Sequence, residues 1–271
     1  MPELPEVETT RRGLAPHVTG RRIVALTLHE PRLRWRVPDD LPARVAGQRI
    51  TGSGRRAKYL LIGLEAGTLI VHLGMSGSLR VLPADTPRRA HDHYDLLLDS
   101  GNVVRFNDPR RFGSLHYTSG EPDRHPLLAR LAPEPLGPQF DAEYLWRITR
   151  RRRAAIKQVL MNSRLVVGVG NIYASESLFR SRIRPRRRAQ SLSREEAKRL
   201  VRAVRAVLSL AIKVGGTTLR DYVGADGEPG YFGQKLYVYE RAGKACRVCG
   251  SPVRQLTQQG RSTYYCASCQ K

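Results

Sequence analysis

The sequence predicts an α+β fold in two parts, an N-terminal antiparallel β-sandwich with a flanking helix and a C-terminal helical domain ending in a zinc-finger hairpin. Three observations carry this expectation. Apolar and polar residues alternate in short runs from Arg22 to about Tyr117, the apolar spacing changes to three and four after Phe140, and two Cys-x-x-Cys pairs close the chain. At 271 residues the chain can bury two medium cores, and a hydrophobic content of 41% is enough to fill them.

The elements follow in order. A helix is expected to begin near Pro5, because proline is tolerated in a first turn and Glu3, Glu6 and Glu8 suit the positive end of the helix dipole. Pro2 and Glu3 then sit at the helix mouth. Residues 22–28, 59–62, 69–73, 94–98 and 103–106 are bounded by Gly, Pro and Asp and read as strands. Three prolines within residues 131–138 block both helix and sheet, so we expect a linker over 131–140. It separates a first domain, 1–130, from a helical domain, 141–236. Helices are expected at about 141–150, 154–162, 171–183 and 193–214, the last opened by a capping box of Ser193 and Glu196.

Residues 237–271 form the third part. Cys246-x-x-Cys249 and Cys266-x-x-Cys269 each place two thiolates on a tight turn, and 16 intervening residues let the turns meet around one tetrahedral zinc. All four ligands are protein sulfurs, so no position is open to substrate and the metal is structural. Between the pairs, two alternating runs flank Gln259-Gly260 and predict a hairpin with Arg261 at its tip.

Charge narrows the function classes. Lys and Arg total 47 against 24 Asp and Glu, a net charge of +23 that predicts salt-dependent attraction to nucleic-acid phosphate. No run reaches the roughly 18 apolar residues of a membrane span. The first twenty residues carry three glutamates and no apolar stretch, which argues against a secretory signal. The expected location is the cytoplasm, at the nucleoid of a bacterium, where cysteines bind metal more readily than they form disulfides.

A second motif, Val166-Val-Gly-Val-Gly-Asn171-Ile-Tyr173, contains half of a dinucleotide fingerprint but lacks the preceding parallel strand and the third glycine. It reads instead as a glycine-rich double turn between two helices, exposing backbone N–H groups to one phosphate. The arginines at 150–153, Arg153 nearest, and Lys157 add charge at the same place.

These motifs together carry a resemblance. The opening Met1-Pro-Glu-Leu-Pro-Glu-Val-Glu-Thr9, Arg56-Ala-Lys58-Tyr59, His72-Leu-Gly-Met75-Ser-Gly77, Asp108-Pro-Arg110-Arg-Phe112-Gly113, the Asn171 block and the terminal finger resemble bacterial formamidopyrimidine-DNA glycosylases, in order along the whole chain. The resemblance implies a sandwich followed by a helix-two-turn-helix domain, and removal of oxidised purines such as 8-oxoguanine and formamidopyrimidines from duplex DNA. Endonuclease VIII, which prefers oxidised pyrimidines, is less similar: it usually begins Pro-Glu-Gly-Pro-Glu and lacks this arrangement of Met75, Arg110 and Phe112.

A terminal amine has a pKa of about 8 against about 10.4 for lysine, so the Pro2 nitrogen is the better nucleophile once Met1 is removed. As a secondary amine it forms an iminium at the sugar C1′ that cannot lose its charge at nitrogen. This acidifies the C2′ proton and couples base loss to strand cleavage by β,δ-elimination. The resemblance makes Glu3 the general acid and Glu6 a supporting carboxylate, whereas Glu8 reads as helix-start charge. It makes Lys58 a contact in the elimination, Arg261 a clamp on the phosphates beside the lesion that assists the second elimination, and His91 a phosphate contact. Flipping a base out of the stack leaves a hole and an orphan partner. Met75 fits the hole, Phe112 wedges the step, and Arg110 satisfies the orphan. Arg153, Lys157, Asn171 and Tyr173 hold the DNA backbone, and the stretch from Gly215 to Phe232 resembles a loop over the flipped base. The expected partner is double-stranded DNA with oxidised bases or abasic sites, bound by a monomer. A non-catalytic zinc-dependent binder of damaged DNA is the alternative from another class, and it would not need Pro2, Glu3 and Lys58.

Overall fold

The computed structural model describes residues 2–216 and 232–271. The chain divides into two compact units: residues 2–129 with 214–216, and residues 130–213 with 232–271. Most of the loop expected over the flipped base lies outside the described residues.

The first unit opens with α1 (Leu4–Val18), followed by β1 (Ile23–Leu28), a short α2 (Leu41–Val45), β2 (Ile50–Arg56), β3 (Tyr59–Leu64), β4 (Gly67–His72), β5 (Ser78–Pro83), β6 (Asp92–Leu98), β7 (Asn102–Asn107) and β8 (Ser114–Thr118). Two antiparallel sheets result, ordered β1-β6-β7-β5 and β2-β3-β4-β8. Leu26, Leu79, Leu96, Val104 and Phe106 of one sheet share a core with Leu60, Ile62, Leu69, Val71 and Leu115 of the other, which makes the predicted sandwich. Val7, Leu14 and Val18 join that core and fix α1 along it. Strands β2, β5 and β8 lack a clean apolar alternation. β2 carries Gly52, Gly54, Arg55 and Arg56, and its pairing with β3 rather than its composition makes it a strand.

The second unit contains α3 (Ala142–Thr149), α4 (Ile156–Met161), α5 (Asn171–Arg180), α6 (Arg194–Lys213), β9 (Val253–Gln258) and β10 (Arg261–Cys266). Ser193 and Glu196 exchange the expected capping bonds at 3.2 and 2.9 Å. Helix α5 stops three residues short of its expected end. The Arg182 N–H donates to Phe179 O and the Ile183 N–H to Leu178 O, both at 3.0 Å, with Arg182 at φ 60. This is a Schellman ending in which arginine occupies the site usually given to glycine, so no residue type announces it. The proline-rich stretch packs on this unit: the Arg205 guanidinium donates to Gly137 O and Phe140 O at 2.8 and 2.9 Å.

Candidate functional site

The chain start is a built structure. Pro2 is buried, Glu3 is 2% exposed and Glu6 is fully buried. Glu3 is the N-cap of α1, and Glu3 and Glu6 form a capping box in which the Glu3 N–H donates to Glu6 Oε2 at 2.8 Å. The backbone of Gly216 approaches from the other side, where a Cβ would lie 3.1 Å from Glu6 Oε1. One helix turn further, Glu8 is held by Arg11, Arg12 and Arg55 at 2.8, 2.8 and 3.4 Å. Burial pushes its carboxyl up, but hydrogen bonds from Arg11 and Arg12 outweigh this and hold it below its ordinary value.

Lys58 lies in the two-residue turn between β2 and β3, next to Ala57 at φ 54. Its neighbour Tyr59 pairs across the sheet with His72, ring centroids 4.9 Å apart. Burial first, then the Lys58 and Arg34 charges, lower His72 to about 4, so its ring is neutral at neutral pH. Gly74 N–H donates to His72 Nδ1 at 2.9 Å, which leaves the proton on Nε2. The ring therefore supports the turn that carries Met75. Nothing in the motif around His72 signals this task, because it depends on the pairing of β3 with β4.

Met75 and Phe112 are 38% and 44% exposed, among the few large apolar side chains that face solvent. The Arg110 guanidinium sits 5.5 Å from the centre of the Phe112 ring. His91 adopts a left-handed φ of 71 beside a cavity of about 280 Å³ that is also lined by Arg80, Arg89 and Arg105.

In the second unit, the glycine-rich turn leads into Asn171, the first residue of α5. A cavity of about 530 Å³ is lined by Arg151, Arg152, Arg153, Lys157, Gln259 and Arg261, so the arginine run and the hairpin tip share one basic hollow. The tip itself is a two-residue turn, with Gln259 at φ 48 and Gly260 at φ 71 and Arg261 exposed beyond it. Lys157 differs from the open phosphate contact expected of it. It is 2% exposed, and its ammonium donates to Asn171 Oδ1, Thr263 Oγ1 and Ser262 O at 2.6, 2.7 and 3.2 Å. Asn171 Nδ2 also donates to Ser262 O at 3.0 Å. A lysine has three donors, so Lys157 is a strut joining α4, α5 and β10. Tyr173 is fully buried in the same helix turn.

The sulfurs of Cys246, Cys249, Cys266 and Cys269 all lie within 4.8 Å of one another. Burial and the neighbouring thiols push Cys269 up to about 12, while hydrogen bonds from Ser251 draw Cys249 down to about 6. A divalent cation would allow all four to bind as thiolates at this range, and an all-sulfur tetrahedral set suits zinc.

Three family models match the chain: the formamidopyrimidine-DNA glycosylase N-terminal domain over residues 1–115, the helix-two-turn-helix domain of the same enzymes over 131–223, and a zinc finger shared by these enzymes and isoleucyl-tRNA synthetase over 243–271. The formamidopyrimidine-DNA glycosylase of Thioalkalivibrio sulfidiphilus is 60% identical over 271 residues, the whole of both chains. The chain belongs to the formamidopyrimidine-DNA glycosylase family. Among solved members, the Thermus thermophilus protein superimposes with a TM-score of 0.90 at 42% identity, covering 99% of this chain and 98% of that one. The Lactococcus lactis glycosylase, crystallised with DNA containing an abasic site, gives 0.92 at 31% identity and 99% coverage of both. As in the family's finger, the cysteine cluster of this glycosylase holds one structural zinc. No helix among its described residues is long and apolar enough to cross a membrane.

Proposed function

We propose that this glycosylase excises oxidised purines, 8-oxoguanine and formamidopyrimidines, from duplex DNA and then cleaves the strand at the abasic site. The observation that carries the reading is the built start of the chain: Pro2 and Glu3 are buried at the mouth of α1, with the Glu3 backbone fixed by Glu6. In the reaction, the unprotonated Pro2 nitrogen attacks C1′ and displaces the base, which leaves with the proton that Pro2 gives up, and the C1′–O4′ bond then breaks as Glu3 protonates the ring oxygen, leaving an iminium between Pro2 and C1′. The resulting iminium renders the C2′ proton acidic. Loss of that proton expels the 3′ phosphate, and a second elimination expels the 5′ phosphate. Lys58 serves these eliminations by contacting phosphate or carrying a proton, and Arg261 holds the phosphates beside the lesion. Lys157 acts by positioning Asn171 and the Arg261 hairpin, and Arg153, His91 and the turn before Tyr173 each contact DNA phosphate. The occupied site needs one chain terminus per lesion, so the working form is a monomer, located at the cytoplasmic nucleoid.

Borohydride added during incubation with an 8-oxoguanine duplex should trap a covalent complex mapped to Pro2. A trap at Lys58, or none, would overturn the mechanism, and binding without any trap would favour the non-catalytic reading.

Arg110 gives the purine reading a second test. An orphan cytosine exposes two acceptors, O2 and N3, which an all-donor guanidinium matches, whereas adenine puts an N6 donor beside N1. The mismatch costs about 1–3 kcal/mol, by analogy with a bidentate side chain facing the wrong base. Arg110→Ala should reduce the kcat/KM ratio for lesion opposite C over lesion opposite A by about tenfold or more, chiefly by slowing the C substrate. An unchanged ratio, with discrimination lost instead in Arg111→Ala, would move the contact to the neighbouring arginine.

A further inference from the structure

We infer that Asp108 is a positioning residue that makes the Met75 turn and the Arg110–Phe112 turn one rigid unit, so that the filler of the vacated stack and the reader of the orphan base enter the duplex together. The inference rests on the roles proposed above for those three side chains.

Asp108 is fully buried just beyond the end of β7. Its carboxylate collects donors from both turns. Oδ1 accepts from Ser76 Oγ at 2.8 Å, next to Met75, and from the Arg110 N–H at 3.2 Å, while Oδ2 accepts from the Gly113 N–H at 2.8 Å, next to Phe112. Its backbone is fixed in turn. The Asp108 N–H donates to His91 O at 3.0 Å, and its carbonyl accepts from His93 Nε2 at 2.7 Å. Among the described residues no cation is paired with this carboxylate, and its named partners are all neutral donors. A buried carboxylate without a counter-ion depends on every donor it has. Displacing either turn alone removes donors from a charge that water cannot reach, so the two turns move together or not at all.

Steric contact says the same independently. A Cβ on Gly74 would lie 2.4 Å from Gly113 N, and a Cβ on Gly113 or Gly77 would lie 2.5 or 2.9 Å from the Phe106 ring. The backbones of the two turns therefore touch each other and rest on one aromatic floor. Arg111, between the two functional residues of its turn, holds a left-handed φ of 52, and its N–H donates to Asp108 O at 3.2 Å. Such a conformation in a non-glycine residue persists only where its surroundings enforce it.

The test separates opening of the duplex from the chemistry that follows. Asp108→Ala removes the hub, Ser76→Ala cuts only the tie to the Met75 turn, and Asp108→Asn keeps an acceptor for Gly113 while its amide donates to Ser76 Oγ and gives up the Arg110 N–H. Single-turnover excision from an 8-oxoguanine duplex is compared with elimination at an abasic site in single-stranded DNA, where no stack has to be opened. A 2-aminopurine beside the lesion reports insertion of the turns. Asp108→Ala should slow duplex excision by about tenfold or more, in keeping with the cost of misplacing a group by about an ångström, and leave single-strand elimination within about twofold. Ser76→Ala should have a smaller effect in the same direction and split the 2-aminopurine signal into two phases, with Asp108→Asn restoring part of the loss. Equal losses on both substrates would make Asp108 a general stabiliser, and duplex excision within twofold of the parent in Ser76→Ala and Asp108→Ala would remove its role. A parent-like fluorescence change in Met75→Ala would instead defeat the underlying reading, because Met75 would then not enter the duplex.

Discussion

Protein whose Pro2 nitrogen is blocked, by retained Met1 or by an N-terminal tag, is expected to bind lesion DNA but to lose cleavage and borohydride trapping by at least about a thousandfold, the scale of removing an essential nucleophile. The DNA-binding groups lie elsewhere in the chain: the basic hollow with Arg153 and Arg261, and the exposed Met75 and Phe112, are untouched by a blocked terminus. The loss should therefore fall on kcat and leave the dissociation constant nearly unchanged. Blocking an amine also differs from replacing Glu3, because the Glu3 and Glu6 capping bonds survive it and α1 keeps its start. Full nicking by protein with a blocked terminus verified by mass spectrometry would end the Pro2 mechanism.

The second large effect concerns the metal. Removing one thiolate, as in Cys246→Ser, should release the zinc, unfold residues around β9 and β10, and weaken lesion-DNA binding by about a hundredfold or more. Structural zinc contributes about 10–16 kcal/mol in small fingers, far more than this hairpin can replace. Its own core is little more than Cys246, Val253, Cys266 and Val238 packed on Phe179 of α5. The damage does not stop at the hairpin. Ser262 and Thr263 leave with β10, and the Lys157 ammonium loses the two acceptors they provide. A buried ammonium deprived of two partners disturbs the first turn of α5, so the phosphate turn and the Arg261 clamp fail together. The sandwich, with its separate core, should keep its own melting transition. Unchanged affinity in metal-free Cys246→Ser would refute this coupling.

The features legible in sequence are those whose chemistry is local. The cysteine pairs reveal their metal because ligand spacing is set by one turn, and Ser193 with Glu196 announces α6 because both capping bonds run between residues three apart. The end of α5 was not legible, since Arg182 stands where a glycine would have signalled it. Nor was β2, whose glycines and arginines become a strand only through β3. The burial of Lys157 was hidden for a third reason: its acceptors come from α5 and β10, as far as 106 positions away in the chain. A basic residue beside an arginine run reads as surface charge until the fold closes around it. The hub at Asp108 has the same origin, since it gathers Ser76 from 32 positions upstream.

The enclosure of Lys157 also makes it a built-in reporter. A reagent that methylates accessible amines should mark exposed Lys198 and Lys244 and spare Lys157, whose amine is shielded while Asn171, Ser262 and Thr263 stay in place. Labelling at Lys157 would begin only once β10 has moved away. The time course of that single mark in the mass spectrum would therefore record how often the finger detaches in the intact glycosylase, before any metal is lost to solution.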